Sequence, residues 1–282
     1  AFSSFILLNM VYDQVFWRTG KVVLGAVSGA AAVAVYGIAC KIITEAYMQL
    51  SVGVSSVFLP RITAISATTK NMKQIDDIFC KVGRIQAILV WGVIAAFAVL
   101  GRNFVALWAG PDFASVYPVT LILMLGLSIS LIQNVGILVL QATNKMAFRS
   151  LVYIALAALD VVISIPVSAE FGVIGCAVVA AVLLFVGTGP VMNWYYSKHA
   201  RLDIPRFYRE VIPLLVPAAG AGIVTALAIA LVNPALSWLS FAWEALIFVA
   251  VYGLLLWLVG FNRYEKGIVL SIAGRLKMTR RA

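Results

Sequence analysis

Apolar runs of roughly 20 residues, the length a helix needs to cross a hydrocarbon core, alternate along the chain with short polar connections. Eight are predicted, at residues 1–17, 30–58, 84–101, 114–141, 148–168, 171–196, 211–232 and 236–260. The second run would extend about 44 Å as a helix, more than a core of roughly 30 Å, so it must tilt or project. Pro60 is expected to end it. Residues 66–83 (SATTKNMKQIDDIFCKVG) are polar and of mixed charge, which predicts an amphipathic helix leading into the third span. Residues 198–210 (KHARLDIPRFYRE) form a second interfacial segment, whose expected role is electrostatic anchoring to anionic membrane lipid. Gly25 and Gly29 match GxxxG but fall where an outer turn is expected, and are read as a loop.

Composition turns this pattern into a class. Of the 282 residues, 63% are hydrophobic and 11% are charged, with a mean hydropathy of +1.04, against about 25% charged residues in a soluble domain. So few charges decorate loops between lipid-buried helices but cannot cover a water-soluble globule, which excludes a soluble enzyme. The net charge of +10 does not point to nucleic acid, because the basic residues flank apolar runs instead of forming a water-facing surface. Among the 21 Lys and Arg residues, only Arg18, Lys21 and Arg102 fall in outer connections, and Lys41 lies within a span. The remainder gather in the other connections and in the C-terminal tail. The excess of positive charge marks that side, with both termini of the chain, as cytoplasmic. Cys40, Cys80 and Cys176 are scattered without a CxxC spacing, and the single His199 builds no metal site, so no metal or cofactor is expected.

Ionisable groups inside spans cost at least about 2.5–3.5 kcal/mol each on insertion scales, so they face a bundle interior or a water-filled path. Lys41 and Glu45 stand four residues apart on one helical face, where each neutralises the other. Asp13 lies in the first span and Asp160 in the fifth, while Glu244 is close enough to an outer end to reach headgroups. These are the candidates for a polar pathway, Lys41 for an anion and Glu45, Asp13 and Asp160 for a coupling cation or proton. The bland alternative makes Lys41 and Glu45 a pair that glues helices together. Gln49, Ser51, Gln133, Asn134 and Asn193 are expected to hydrogen-bond within or between helices. No nucleophile, base and orienting group come together, and no GxxxxGK[ST] loop is present, so the chain is read as a non-enzyme. The classes left are a transporter, a channel and a structural subunit, and polar spans rich in Gly and Pro favour a transporter.

The order of local patterns is similar to that of one family. Val22-Val-Leu-Gly25, AVYGIACKI (34–42), FLPRI (58–62), LWAGPDF (107–113), QATNK (141–145) and EFGVIGCAVV (170–179) together resemble the polysaccharide and O-antigen flippases of the MATE-like (MOP) exporter superfamily. The resemblance runs nearly end to end and implies an all-α integral membrane protein that is the C-terminal portion of a fourteen-span flippase. Residues 1–196 would form the second six-helix bundle, 197–260 an interfacial segment and a last helix pair, and 261–282 a basic cytoplasmic tail. It implies an N-terminal helix bundle as partner and a bacterial inner-membrane location. The implied substrate is an undecaprenyl-pyrophosphate-linked oligosaccharide, carried to the outer leaflet by alternating access. By the same resemblance Lys41 is the leading anion contact, with Arg18 and Tyr36 as further substrate contacts and Glu45, Asp13, Asp160 and Gln49 as coupling or cavity groups. Two departures stand out: FWRTGK (16–21) lengthens the first outer turn, and Asp160 stands where the family more often has a neutral Asn. A cation-coupled multidrug-type antiporter on the same fold is the alternative function.

Overall fold

The computed structural model describes residues 16–68, 72–142, 145–232 and 235–267. Among them every regular element is helical. Helix α1 is described over residues 16–27, and Ser28 and Gly29 form the turn to α2 (Ala30–Ile42). A π-helical turn (Ile43–Tyr47) continues directly into α3 (Met48–Thr68), then come α4 (Met72–Trp108), α5 (Val116–Ile132), α6 (Asn134–Ala142) and α7 (Met146–Val186). A second π turn (Gly187–Val191) leads to α8 (Met192–His199), followed by α9 (Ile204–Val211), α10 (Leu215–Val232) and α11 (Trp238–Leu255).

Five helices are long and apolar enough to span a membrane, and the bent pair α5–α6 makes six. One of them, Met146–His199, has 54 residues, about 80 Å of helix and far more than one crossing requires. It folds back on itself at Gly172, whose φ of 58° lies in the left-handed region that glycine tolerates. The reversal is visible in the packing: a Cβ at Gly175 would sit 2.8 Å from the Val167 carbonyl oxygen, and one at Gly187 would run into Leu156. The two limbs match the expected spans 148–168 and 171–196. Counted as two, they bring the described residues to seven of the eight crossings predicted, in an all-α multi-pass membrane protein; α1, described over residues 16–27, extends past the first expected span at 1–17.

Helix α5 runs through the centre of the packing. Val119, Leu123, Met124 and Leu127 are buried on it, and Gly126 brings it so close to α7 that a Cβ would lie 2.5 Å from the Ala181 Cα. Between helices in lipid such close approach, not water exclusion, supplies the attraction. A smaller cluster of Leu100, Ala221 and Phe248 seats α10 and α11 on α4.

Several local expectations are corrected. The glycines at 25 and 29 do not frame a loop: Gly25 is helical, and α1 is closed only by the Ser28 and Gly29 amides, both donating to the Leu24 carbonyl at 2.8 and 2.9 Å. FWRTGK therefore does not lengthen an outer turn, and Arg18 and Lys21 lie along α1. Pro60 sits inside α3 without ending it, since a proline removes one N–H bond and kinks a helix that its neighbours still support. Of the stretch 66–83 expected to lead into the third span, residues 66–68 end α3 and residues 72–83 are the first turns of α4, continuous with that span. Helix α9, within the segment expected to anchor to lipid, is amphipathic, and its apolar side docks on protein. Phe207 stacks on Phe79 with ring centroids 4.5 Å apart, and Arg206 pairs with Asp77 at 2.7 Å and Glu210 at 3.1 Å.

Candidate functional site

Helices α2 and α3 carry two polar faces. On one, Ile43, Tyr47, Ser51 and Ser55 recur every four residues and are all buried. A regular helix has 3.6 residues per turn, so such a stripe would drift around it. The π turn over Ile43–Tyr47 takes up the excess and holds the stripe against the core. The other face repeats with the same spacing as Gly37, Lys41, Glu45, Gln49 and Gly53, and it is open. Side chains of Lys41 and Glu45 are 59% and 67% exposed, with Lys41 Nζ 4.0 Å from Glu45 Oε2. A Cβ added at Gly53 would meet nothing within 4 Å. Gln49 turns back on its own helix, its Nε2 donating to the Thr44 carbonyl at 3.3 Å.

Lys41 and Glu45 lie too far from either end of the helix to be bathed by headgroups, and both are too exposed to act as an interhelical pair within the described residues. Charge in this position needs water or a polar partner beside it. Helix α1 adds to the same region. A Cβ at Gly37 would lie 4.0 Å from Lys21 Cε, and Gly37 is one turn from Lys41, so the two lysines are neighbours across the α1–α2 contact. Arg18, one turn from Lys21, is exposed. Sequence reading placed Lys21 in a loop and so missed it. The signal that would have found it is the turn itself: Gly29 alone, with no polar run before it, permits α1 to continue through residue 27.

Tyr36 does not join this face. It is 1% exposed and lies beneath Gly20, where a Cβ would approach its ring to 2.6 Å. It belongs to a second, buried polar group formed by α1, α2 and both limbs of α7. There Ser164 Oγ donates to Asp160 Oδ1 at 3.1 Å, and Cys176 Sγ lies 4.0 Å from the Gly20 carbonyl oxygen. Ser168 Oγ is buried with no partner among the described residues. Asp160 is 2% exposed, a carboxyl held inside the helix bundle beside hydroxyl groups. Such a donor set suits a proton or a small hard cation, although no three His, Cys, Asp or Glu side chains converge as a metal site among the described residues. Asp13 lies outside the described residues.

A third polar group closes the break between α5 and α6. Gln133 (φ −95°, ψ 15°) interrupts the span and frees carbonyls inside the membrane. Gln86 of α4 supplies the donors: its Nε2 gives hydrogen bonds to the Ile132 and Leu131 carbonyls at 2.7 and 3.1 Å, while its Oε1 accepts from Ser55 Oγ at 2.6 Å. Ser51 Oγ also donates to Leu131, at 2.8 Å, and Asn134 Nδ2 donates to Ser55 Oγ at 3.0 Å. Gln133 Nε2 donates to Asn193 Oδ1 at 2.8 Å, and Asn193 Nδ2 to Tyr208 Oη at 2.7 Å. Glu244 likewise faces protein and not headgroups, being 3% exposed and accepting from Asn103 Nδ2 at 3.2 Å.

Comparison with known proteins places these groups in a family context. A family model described as polysaccharide biosynthesis protein matches residues 1–118, the part that carries Arg18, Lys21, Lys41 and Glu45. No curated protein matches the chain in sequence. A solved structure described as the lipid II flippase MurJ in an inward closed conformation superposes with a TM-score of 0.66 at 16% identity, over 87% of this chain and 50% of that one. The chain spans about half the length of that flippase. The resemblance to a polysaccharide-biosynthesis family drawn from the sequence is borne out over residues 1–118 by the family match, and the fold is shared with half of the MurJ structure.

Proposed function

We propose that the chain is the second half of a flippase that carries undecaprenyl-pyrophosphate-linked oligosaccharide from the inner to the outer leaflet of a bacterial inner membrane. The observation that supports this most is the open, charged face of α2 and α3 in the middle of a span. In this reading the face borders a central cavity, with an N-terminal helix bundle on its far side. Residues 1–196 act as one bundle, 197–260 as the added pair, and the basic tail and both ends of the chain lie in the cytoplasm. Lys41, with Lys21 and Arg18 beside it, offers positive charge to the pyrophosphate. In a cavity of lowered dielectric that attraction is several times its strength in water. Glu45 limits it, so that the anion is held and released instead of trapped. Rocking of one bundle against the other then exposes the cavity to each leaflet in turn.

Substituting Lys41→Ala in the whole protein is expected to lower polymer export at least about tenfold, the loss of one charge-assisted contact, with finished lipid-linked units accumulating on the cytoplasmic side and the protein still in the membrane. Normal export by this variant would remove the anion-contact role. The buried Asp160–Ser164 group favours a second reading, in which the same fold couples transport to a cation or proton, as in a small-molecule antiporter. Loss of ion dependence in Asp160→Asn with export of lipid-linked sugar intact would place coupling there and keep the flippase reading.

A further inference from the structure

At the basic end of the molecule a hollow of about 120 Å³ opens between α3, α4 and the short helical turn at residues 263–267. Phe58, Ile78, Val82 and Ile85 give it an apolar lining, which Lys81 and Tyr264 complete. The Lys81 ammonium stands 5.4 Å from the centre of the Tyr264 ring. The nearby acids are already engaged. Asp77, one turn before Lys81, pairs with Arg206 at 2.7 Å, and Glu265, next to Tyr264, holds Arg84 at 2.8 Å. Among the described residues no carboxylate lies within ion-pair distance of Lys81, so its charge is left over beside an apolar hollow.

The depth of the hollow suggests what fills it. Helix α4 has 37 residues, about 55 Å; counted back from Arg102, the basic residue near its far end, a 30 Å core reaches to about residue 82, so the first turns through Lys81 project about 15 Å beyond it. Lys81 lies where that projection meets the hydrocarbon, and Trp257 and Tyr264 on the neighbouring segment are aromatic residues of the kind that settle at this level. We propose that the hollow binds an anionic phospholipid of the leaflet at the basic end, with the Lys81 ammonium and Tyr264 hydroxyl on its phosphate and the first carbons of an acyl chain against Ile78, Val82 and Ile85. Excess positive charge and an apolar wall at one depth complement the two halves of such a lipid. This inference rests on the membrane fold alone and stands or falls apart from the transported substrate.

The test is native mass spectrometry of the whole chain released from detergent containing equal phosphatidylglycerol and phosphatidylcholine. One phosphatidylglycerol per chain is expected to remain bound in preference to phosphatidylcholine. Lys81→Gln should reduce its retention about fivefold, the effect of one lysine near a charged membrane surface, and Lys81→Arg should keep it. Ile85→Trp, which fills the hollow and leaves the charge in place, should also release it. Retention unchanged in Lys81→Gln, or unchanged in Ile85→Trp, would overturn the proposal, the latter by reducing it to surface attraction. So would displacement of the lipid by inorganic phosphate, which would mark a free-anion site, or a gain in lipid on deleting residues 268–282, which would make the chain's own tail the occupant.

Discussion

The two faces of α2 and α3 are equally polar and yet opposite in character. Ser51 and Ser55 look inward, and every bond they offer is met by Gln86, Asn134 or the carbonyls at the α5–α6 break. Lys41, Glu45 and Gln49 look outward, and the bonds they make run within their own helix or, for the ion pair, are stretched to 4.0 Å. The inward group repairs a discontinuity in the membrane-embedded backbone, so its polarity is explained within this chain. The outward group repairs nothing here. Polarity within a span is therefore an ambiguous sign, and what separates architecture from function is whether the polar groups are satisfied within the fold.

Variants on the two sides should diverge in what they damage, and the largest effect falls at the most completely satisfied group. Arg84 donates to both Glu265 oxygens, at 2.8 and 3.0 Å, to the Glu210 carbonyl at 2.6 Å and to the Gly260 carbonyl at 2.9 Å, and so ties α4 to α9 and to the segment that follows α11. Arg84→Met leaves the nearly buried Glu265 carboxylate unpaired, a loss of about 3 kcal/mol by the measure of broken buried pairs. Equilibrium unfolding in detergent should show it, and a change under about 1 kcal/mol would mean that the cluster is water-filled and contributes little. Next comes Gln86→Leu, which strips the donors from the Leu131 and Ile132 carbonyls. About 2 kcal/mol is expected from two orphaned acceptors partly relieved by Ser51, together with faster hydrogen exchange confined to residues near 130–136. Wild-type stability for this variant would show that the break is held by packing alone.

How much of this was visible beforehand follows the same division. Seven of the eight expected spans, with the reversal between the fifth and the sixth, were legible, because 20-residue apolar runs are local signals. So was the exposed charge pair, because a Lys and a Glu four apart in an apolar run fall on one face. What failed was whatever depends on a neighbour. The resemblance sets Tyr36 beside Lys41 as a substrate contact, but five residues on a helix is more than one turn, and the ring turns under Gly20 of α1. Glu244 looked close enough to the surface to reach headgroups until Asn103 of α4 was found opposite it. Gln86 drew no notice because its importance comes from the break at Gln133, nearly fifty residues away, and no pattern around Gln86 announces it. Lys21 was missed because the length of α1 was underestimated by about three turns.

The smallest expected effect is the most informative about the outward face. A double-mutant cycle on Lys41 and Glu45, with Lys41→Met and Glu45→Leu singly and together, should give a coupling energy in unfolding of only about 0.3 kcal/mol, since a pair this exposed and this far apart is well screened. Measured on export by the whole protein, the same cycle should give large, non-additive losses, because the flippase reading has both groups acting on one anion. Coupling in stability above about 1.5 kcal/mol would instead mean that the pair is desolvated in the assembled protein. The face would then be a closed joint between helices, and the cavity would have to lie elsewhere. Weak coupling in stability with strong coupling in export is the result that a water-filled path beside Lys41 requires, and a structural pair would not produce it.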